Sequence, residues 1–143
     1  MMEYRAIDAA SRGELDSLWA LMKNDYRGGI IGVRDAEYIQ HRYMNHPFSK
    51  SKQYRCVIIR AQSSKKALAF AVVKEHDGSQ LLMDLICPVA VMKSAISILK
   101  QELGTGEGGA ILRLWVTSSG KDKVFTAGAI VNELGIEIPC NSW

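Results

Sequence analysis

Leu15, Leu18, Trp19 and Met22 fall three and four residues apart, the interval that lines one face of an α-helix. Just upstream, Ser11 and Glu14 form an S-x-x-E pair, in which each side chain can satisfy the other's backbone N–H. A helix is therefore predicted from Ser11 to the Gly28-Gly29 pair. Asp35 suits an N-cap for a second short helix over residues 36–44, closed by Pro47. The period then changes. Residues 55–61 and 67–74 are β-branched and apolar, and Ser63-Ser64-Lys65 between them makes a hairpin turn. Asp77-Gly78 is a second tight turn. Residues 81–87 are nearly all apolar, which predicts a central strand covered on both faces. Pro88 opens a helix where its missing N–H is tolerated, with Val89, Met92, Ile96, Leu99 and Leu103 as an apolar stripe. Glycines at 104, 106, 108 and 109 end it. Residues 111–117 read as another strand, and residues 121–134 as a helix with Val124, Ala127, Val131 and Leu134 inward and Gly135 at its end. A short first strand is expected around residues 4–7. A last strand is expected over residues 136–138, limited by Pro139.

The predicted order is β-α-α-β-β-β-α-β-α-β. Strands joined by tight turns pair antiparallel. The strand-helix-strand unit over residues 81–117 pairs parallel through a right-handed crossover. The expected fold class is α/β (α+β): a mixed, mostly antiparallel sheet with helices on both faces.

Composition narrows the function. A chain of 143 residues suits one domain, which can bury roughly two-thirds of its unfolded surface. Net charge is +3, from 18 basic and 15 acidic residues, and the densest basic stretch, Lys50 to Arg55, is broken by Ser51, Gln53 and Tyr54. That is a solvated loop rather than the basic stripe of a nucleic-acid binder. Cys56, Cys87 and Cys140 are odd in number and widely spaced, with no CxxC pair, so no metal is expected. Such cysteine usage predicts a reducing, cytoplasmic setting. Glu3, Arg5 and Asp8 leave no apolar stretch for a signal peptide, and no run has the length to span a membrane.

The candidate chemistry is sparse. Asp84 is the only ionisable residue in residues 81–87; it can serve as a general base or pair with a nearby Arg. Arg42, Tyr43 and His46 lie close together and can line an acceptor pocket, with Arg42 binding a carboxylate or phosphate. They can equally be an ordinary helix C-terminus, where cations are favoured. His41 and His76 are isolated and read as surface residues. Cys87 is a small core thiol before it is a nucleophile. Ser118-Ser119-Gly120 reads as a loop and helix cap, with an acyl-oxygen contact as the sharper alternative. Trp115 reads as core or groove wall. The glycine-rich stretch 104–109 follows a helix instead of preceding one, which excludes a P-loop.

Ala36-Glu37-Tyr38-Ile39-Gln40-His41-Arg42-Tyr43-Met44-Asn45-His46-Pro47, followed by Tyr54 and the first hairpin strand, resembles a segment of the GNAT acyltransferase superfamily. Glu133-Leu134-Gly135-Ile136 looks like that superfamily's helix-to-strand turn, and the element order is the same. The resemblance covers roughly residues 12–138. It implies transfer of an acyl group from acetyl-CoA, or a related thioester, to a primary amine of a small molecule or peptide. It implies that strands 81–87 and 111–117 splay apart and that the pantetheine arm pairs in the gap. The pyrophosphate would then sit at the helix start near Val89. The implied cofactor-binding residues are Leu85, Ile86, Cys87, Val89, Ala90 and Val91. Asp84 would be catalytic, a backbone N–H near residues 85–87 would hold the oxyanion, and Arg42, Tyr43, His46 and Trp115 would bind substrate.

The chain also departs from the pattern. The superfamily's phosphate loop usually reads Gln or Arg, two residues, Gly, one residue, Gly or Ala; Ile86-Cys87-Pro88-Val89-Ala90-Val91-Met92 lacks both glycines and the basic residue, and Pro88 removes a donor. Val131 stands where a tyrosine acid is usual, and only a short tail follows Gly135, as in a piece of a longer protein or a divergent member of the superfamily. Two functions therefore stay open: an acyltransferase, and a non-catalytic domain that binds a ligand or pairs with a second copy or second domain through an exposed sheet edge.

Overall fold

β-Branched and apolar residues crowd residues 54–86, and three antiparallel strands form there. The computed structural model describes residues 2–4, 9–45, 47, 54–104, 111–116, 120–124 and 129–130. In chain order they build β1 (Met2–Tyr4), α1 (Ala9–Asp25), α2 (Ala36–Ile39), β2 (Tyr54–Arg60), β3 (Ala67–His76), β4 (Ser79–Ile86), α3 (Val89–Leu103), β5 (Leu112–Leu114) and α4 (Lys121–Val124). A π-helical turn, Gln40–Met44, continues α2. The sheet has the order β1-β2-β3-β4-β5. Its first four strands are antiparallel neighbours, and β4 with β5 is the parallel pair. This is the mixed, mostly antiparallel α/β sheet expected from the sequence, in the expected order.

The hairpins follow from local chemistry. Asp77 and Gly78 both adopt positive φ, 48° and 70°, as the tight turn between β3 and β4 requires. The turn between β2 and β3 places Lys65 at φ 57° and is closed by the Ala61 N–H on Lys66 O (2.9 Å) and the Lys65 N–H on Ala61 O (3.0 Å).

The middle of the sheet is β3, not β4. Residues 69–73 are all buried, so both faces of β3 are covered, and α1 and α3 both pack on it. On β4, Leu82, Asp84 and Ile86 are buried while Met83 and Leu85 are half-buried. The apolar run 81–87 suggested the central position, but β3 is the strand flanked by a long partner on each side. From α3, Met92, Ala95, Ile96 and Leu99 enter the core. Burying the side chains of Met92, Ile96 and Leu99 contributes roughly 1.5–3 kcal/mol each.

Two helix starts differ in detail from expectation. α1 begins at Ala9, so Ser11 lies inside the helix, and Glu14 reaches β2 instead of forming a capping box. Its carboxylate takes both Nη1 and Nη2 of Arg60, the latter at 2.8 Å. Arg60 is buried in β2, and a buried guanidinium needs a paired carboxylate more than the helix start needs a cap. α2 begins as predicted: Asp35 Oδ1 accepts the Tyr38 N–H at 2.8 Å, and Asp16 of α1 accepts the Ala36 N–H at 2.8 Å. The helical stretch ends at Met44, also as predicted, but its second half is wider than an α-helix. The Asn45 N–H bonds Gln40 O, five residues back, at 2.9 Å.

Of the helix expected over residues 121–134, Lys121–Val124 is helical, whereas Ala129 and Ile130 lie in no helix and are exposed, with no apolar face there to pack on the core. Residues 125–128 and 131–143, with the expected last strand, Val131, Gly135 and Cys140, lie outside the described residues. Among the described residues no helix is long and apolar enough to cross a membrane. No group of three or more His, Cys, Asp or Glu side chains among them is placed to hold a metal ion.

Candidate functional site

The parallel ladder pairs Gln80 with Leu112, Leu81 with Arg113 and Leu82 with Leu114. The next pairs in that register are Met83 with Trp115 and Asp84 with Val116. Neither Trp115 nor Val116 is in a strand, and they are 74% and 45% exposed. β4 nevertheless runs on to Ile86, held from its other side by β3, with Phe70 opposite Ile86, Ala71 opposite Leu85 and Val72 opposite Asp84. That second ladder shifts between Val72 and Val73, which leaves Met83 as an extra residue on β4. A bulge bends its strand and increases the local twist. This one sits where the β4–β5 ladder ends, so among the described residues β4 over residues 83–86 has no strand partner on that side.

Asp84 stands on this stretch of β4, is buried, and has separate partners for its two carboxylate oxygens. Arg34 Nε donates to Oδ1 at 2.8 Å, and the Tyr43 hydroxyl donates to Oδ2 at 3.0 Å. Arg34 comes from the loop before α2 and is itself oriented by Nη1 on Gly32 O at 2.8 Å. Tyr43 comes from the π-helical turn, is buried, and meets the Tyr54 ring edge-on at 5.0 Å and 75°. Burial, then the Asp84 charge, pushes the Tyr43 phenol well above its ordinary range, so Tyr43 is a fixed donor here and not a base. The Arg42 guanidinium lies 5.8 Å from the Tyr38 ring centre and 5.6 Å from that of Tyr43. An ionised carboxylate has about four acceptor positions. Asp84 can therefore take a further proton donor while keeping both of these.

The start of α3 is built differently. Pro88 is its N-cap and no side chain of its own caps it. Instead the Val89 N–H donates to Asp25 Oδ2, at the end of α1, at 2.7 Å. The Val91 N–H returns to Pro88 O at 3.0 Å. Cys87, just before, is fully buried, and burial followed by the Asp25 charge pushes its thiol up to about 12. Cys87 is therefore a core thiol and no nucleophile at neutral pH.

The structure thus brings Asp84, Tyr43 and Arg42 together, with Leu85 and Ile86 on the same strand. Val89, Ala90 and Val91 stand at the helix start beyond. Trp115 is on the surface at the end of β5 and is not part of the core. His46 lies outside the described residues. Arg34 and Asp25 were not singled out in the sequence, and Tyr54 entered as part of the resemblance, with no role at the site. Arg34 is joined to Asp84 across 50 residues, and no spacing rule announces such a pair. Asp25 did carry a signal: a carboxylate ending a helix faces an unfavourable dipole and calls for a partner elsewhere.

The β4 edge offers backbone donors and acceptors of the kind an amide-bearing arm pairs with. It therefore fits the pantetheine part of coenzyme A. The α3 start does not fit the diphosphate part, since a carboxylate already holds its leading amide.

No family model matches the chain, and no curated protein matches it. Among solved structures it is similar to the ribosomal-protein-S18-alanine N-acetyltransferase of Escherichia coli, at 12% identity and a TM-score of 0.49, over 85% of this chain and 71% of that one. It is similar to an aminoglycoside 6'-N-acetyltransferase of Acinetobacter haemolyticus, at 12% identity and a TM-score of 0.49, over 97% and 99% of the two chains. It is also similar to glucosamine-6-phosphate N-acetyltransferase of Arabidopsis thaliana, at 13% identity and a TM-score of 0.43, over 93% and 97%. At such identities and scores, function is argued from this chain's own geometry.

Proposed function

We propose that residues 1–143 form one N-acyltransferase domain, which moves an acyl group from acetyl-CoA or a related thioester to a primary amine of a small molecule or peptide. The observation that supports this is the parallel ladder that stops at Leu82 and Leu114 while β4 continues to Ile86. The amide groups of a pantetheine arm would add to the open edge as a short extra strand. This would bring the thioester carbonyl toward residues 85–87, where a backbone N–H stabilises the developing oxyanion.

The amine attacks that carbonyl, a C–N bond forms, the C–S bond breaks, and the thiolate leaves. Asp84 first takes a proton from the acceptor's ammonium, directly or through one water, which frees the lone pair that attacks; the proton then lost by the new amide nitrogen goes to the departing thiolate. Tyr43 and Arg34 hold the carboxylate in place. Arg42, beside Tyr43, and Trp115, just past the end of β5, are both exposed and would meet the acceptor. No metal ion enters the scheme.

A second reading is favoured by the same contacts. Both Asp84 oxygens are engaged, and the leading α3 amide is taken, as expected of a domain kept for association and not for catalysis. The open β4 edge would then receive a strand of a second copy or a second domain.

Calorimetric titration with acetyl-CoA, using desulfo-CoA as the control, separates the two. Micromolar binding supports acyl transfer. No heat up to millimolar ligand rejects it in favour of association.

A further inference from the structure

The contact between Asp25 and Val89 joins the C-terminus of α1 to the N-terminus of α3. The helix dipole disfavours a carboxylate at the first position and favours one at the second, so the contact resolves both. It also places a full negative charge where the free amides of a helix start usually gather around an anion. Few amides remain. Pro88 has none to give. Val89 donates to Asp25, and Val91 donates to Pro88 O. Of the amides of residues 89–91, that of Ala90 is the one left for another acceptor among the described residues. Residues 86–92 hold neither a glycine, which would let a phosphate approach the backbone, nor a basic side chain.

Resting on the acyl-transfer reading above, we propose that the exposed carboxylate of Asp25 is the chain's own anion at this helix start and keeps a diphosphate away from α3. The thioester donor is then recognised by its pantetheine arm along β4 and not by its nucleotide end. The donor class is a pantetheine thioester, whether free or borne on the prosthetic arm of a carrier. The reaction is unchanged by this choice, because the bonds made and broken lie at the thioester end.

The test compares acetyl-CoA with S-acetyl-pantetheine by calorimetry, in the full chain and in Asp25→Asn. The asparagine keeps an oxygen for the Val89 N–H and removes the charge, and a thermal melt checks that the fold is kept. The unsubstituted chain is expected to bind the two ligands within about threefold of each other. Asp25→Asn is expected to gain about tenfold for acetyl-CoA at low salt and nothing for S-acetyl-pantetheine, with the gain shrinking as salt rises. Acetyl-CoA binding tenfold tighter than S-acetyl-pantetheine in the unsubstituted chain overturns the inference and leaves acyl transfer standing. So does a ratio that Asp25→Asn does not move. Binding of neither ligand to either chain removes the acyl-transfer reading, and the inference with it. The ratio in the unsubstituted chain decides the matter even where the variant does not fold.

Discussion

Tyr43 and Asp84 are 41 residues apart in sequence and are joined by one hydrogen bond, 3.0 Å from the phenolic oxygen to Oδ2. The bond is buried and its acceptor is a carboxylate, so it is stronger than a neutral pair. Tyr43→Phe keeps the ring against Tyr54 and removes only the donor. It is expected to lower stability by about 1.5–3 kcal/mol. Urea titration should show a lower midpoint at an unchanged slope; an unchanged midpoint would mean that Asp84 finds another donor at no cost.

Asp84→Asn probes the chemistry. The amide can still accept from Tyr43, but it cannot take a proton from an ammonium. Turnover with acetyl-CoA and a reactive amine is expected to fall about a hundredfold or more, with donor affinity kept. Equal turnover in both proteins would assign Asp84 to holding Arg34 and Tyr43 and nothing else.

The thiols predict behaviour in alkali. Burial pushes both Cys56 and Cys87 from 9.0 up to about 12. In the unfolded chain they ionise first, so their contribution to stability is full below pH 9. It is lost as pH rises from about 9 to 12, at about 1.4 kcal/mol per pH unit for each thiol. The Tyr43 phenol is shifted in the same direction and adds to the fall at higher pH. Unfolding free energy should therefore decline steeply above pH 9, and Cys56→Ala should remove one thiol's share of the slope. Peptide mapping after iodoacetamide should find Cys56 and Cys87 unmodified in the native protein and modified in urea.

Glu14 and Arg60 tie α1 to β2. Arg60 is buried and receives Glu14 in a two-pronged contact, with its Nη1 also donating to Lys65 O at 3.1 Å. Glu14→Ala leaves a buried guanidinium short of its counter-charge and is expected to cost about 2–4 kcal/mol. The double variant Glu14→Ala with Arg60→Met should recover most of that loss in thermal melts, because the unpaired charge goes with it.

Trp115 is a surface residue, so Trp115→Ala should change stability by no more than about 0.5 kcal/mol. A ligand seated along β4 beside it should alter tryptophan emission in the unsubstituted chain and much less in the variant. Emission that changes equally in both would place the ligand elsewhere.

Much of the sheet was legible because its determinants are local. The β-branched runs and the Asp77-Gly78 turn set the hairpins, and Asp35 set the start of α2. The parallel β4–β5 pair followed from the length of the crossover. What was not legible depends on long-range packing. Nothing near Arg34 indicates that it meets Asp84, and the helix end at Asp25 calls for a partner without naming Val89. Glu14 fits a capping box until the buried charge of Arg60 enters the same space. The extra residue at Met83, which accompanies the departure of β5, has no sequence mark, since a bulge depends on what the partner strands do.

The wide turn over Gln40–Met44 holds one residue more than an α-helical turn would. Deleting a single residue there restores the ordinary pitch and rotates the side chains beyond it by about 100°. Tyr43 would then leave both Asp84 and the Tyr54 ring. Exposed His41, in contrast, touches neither and can be exchanged freely. This segment is therefore constrained by its length as well as by Tyr43: a change at an exposed position such as His41 is absorbed, whereas a one-residue insertion or deletion puts the whole Asp84 cluster out of phase.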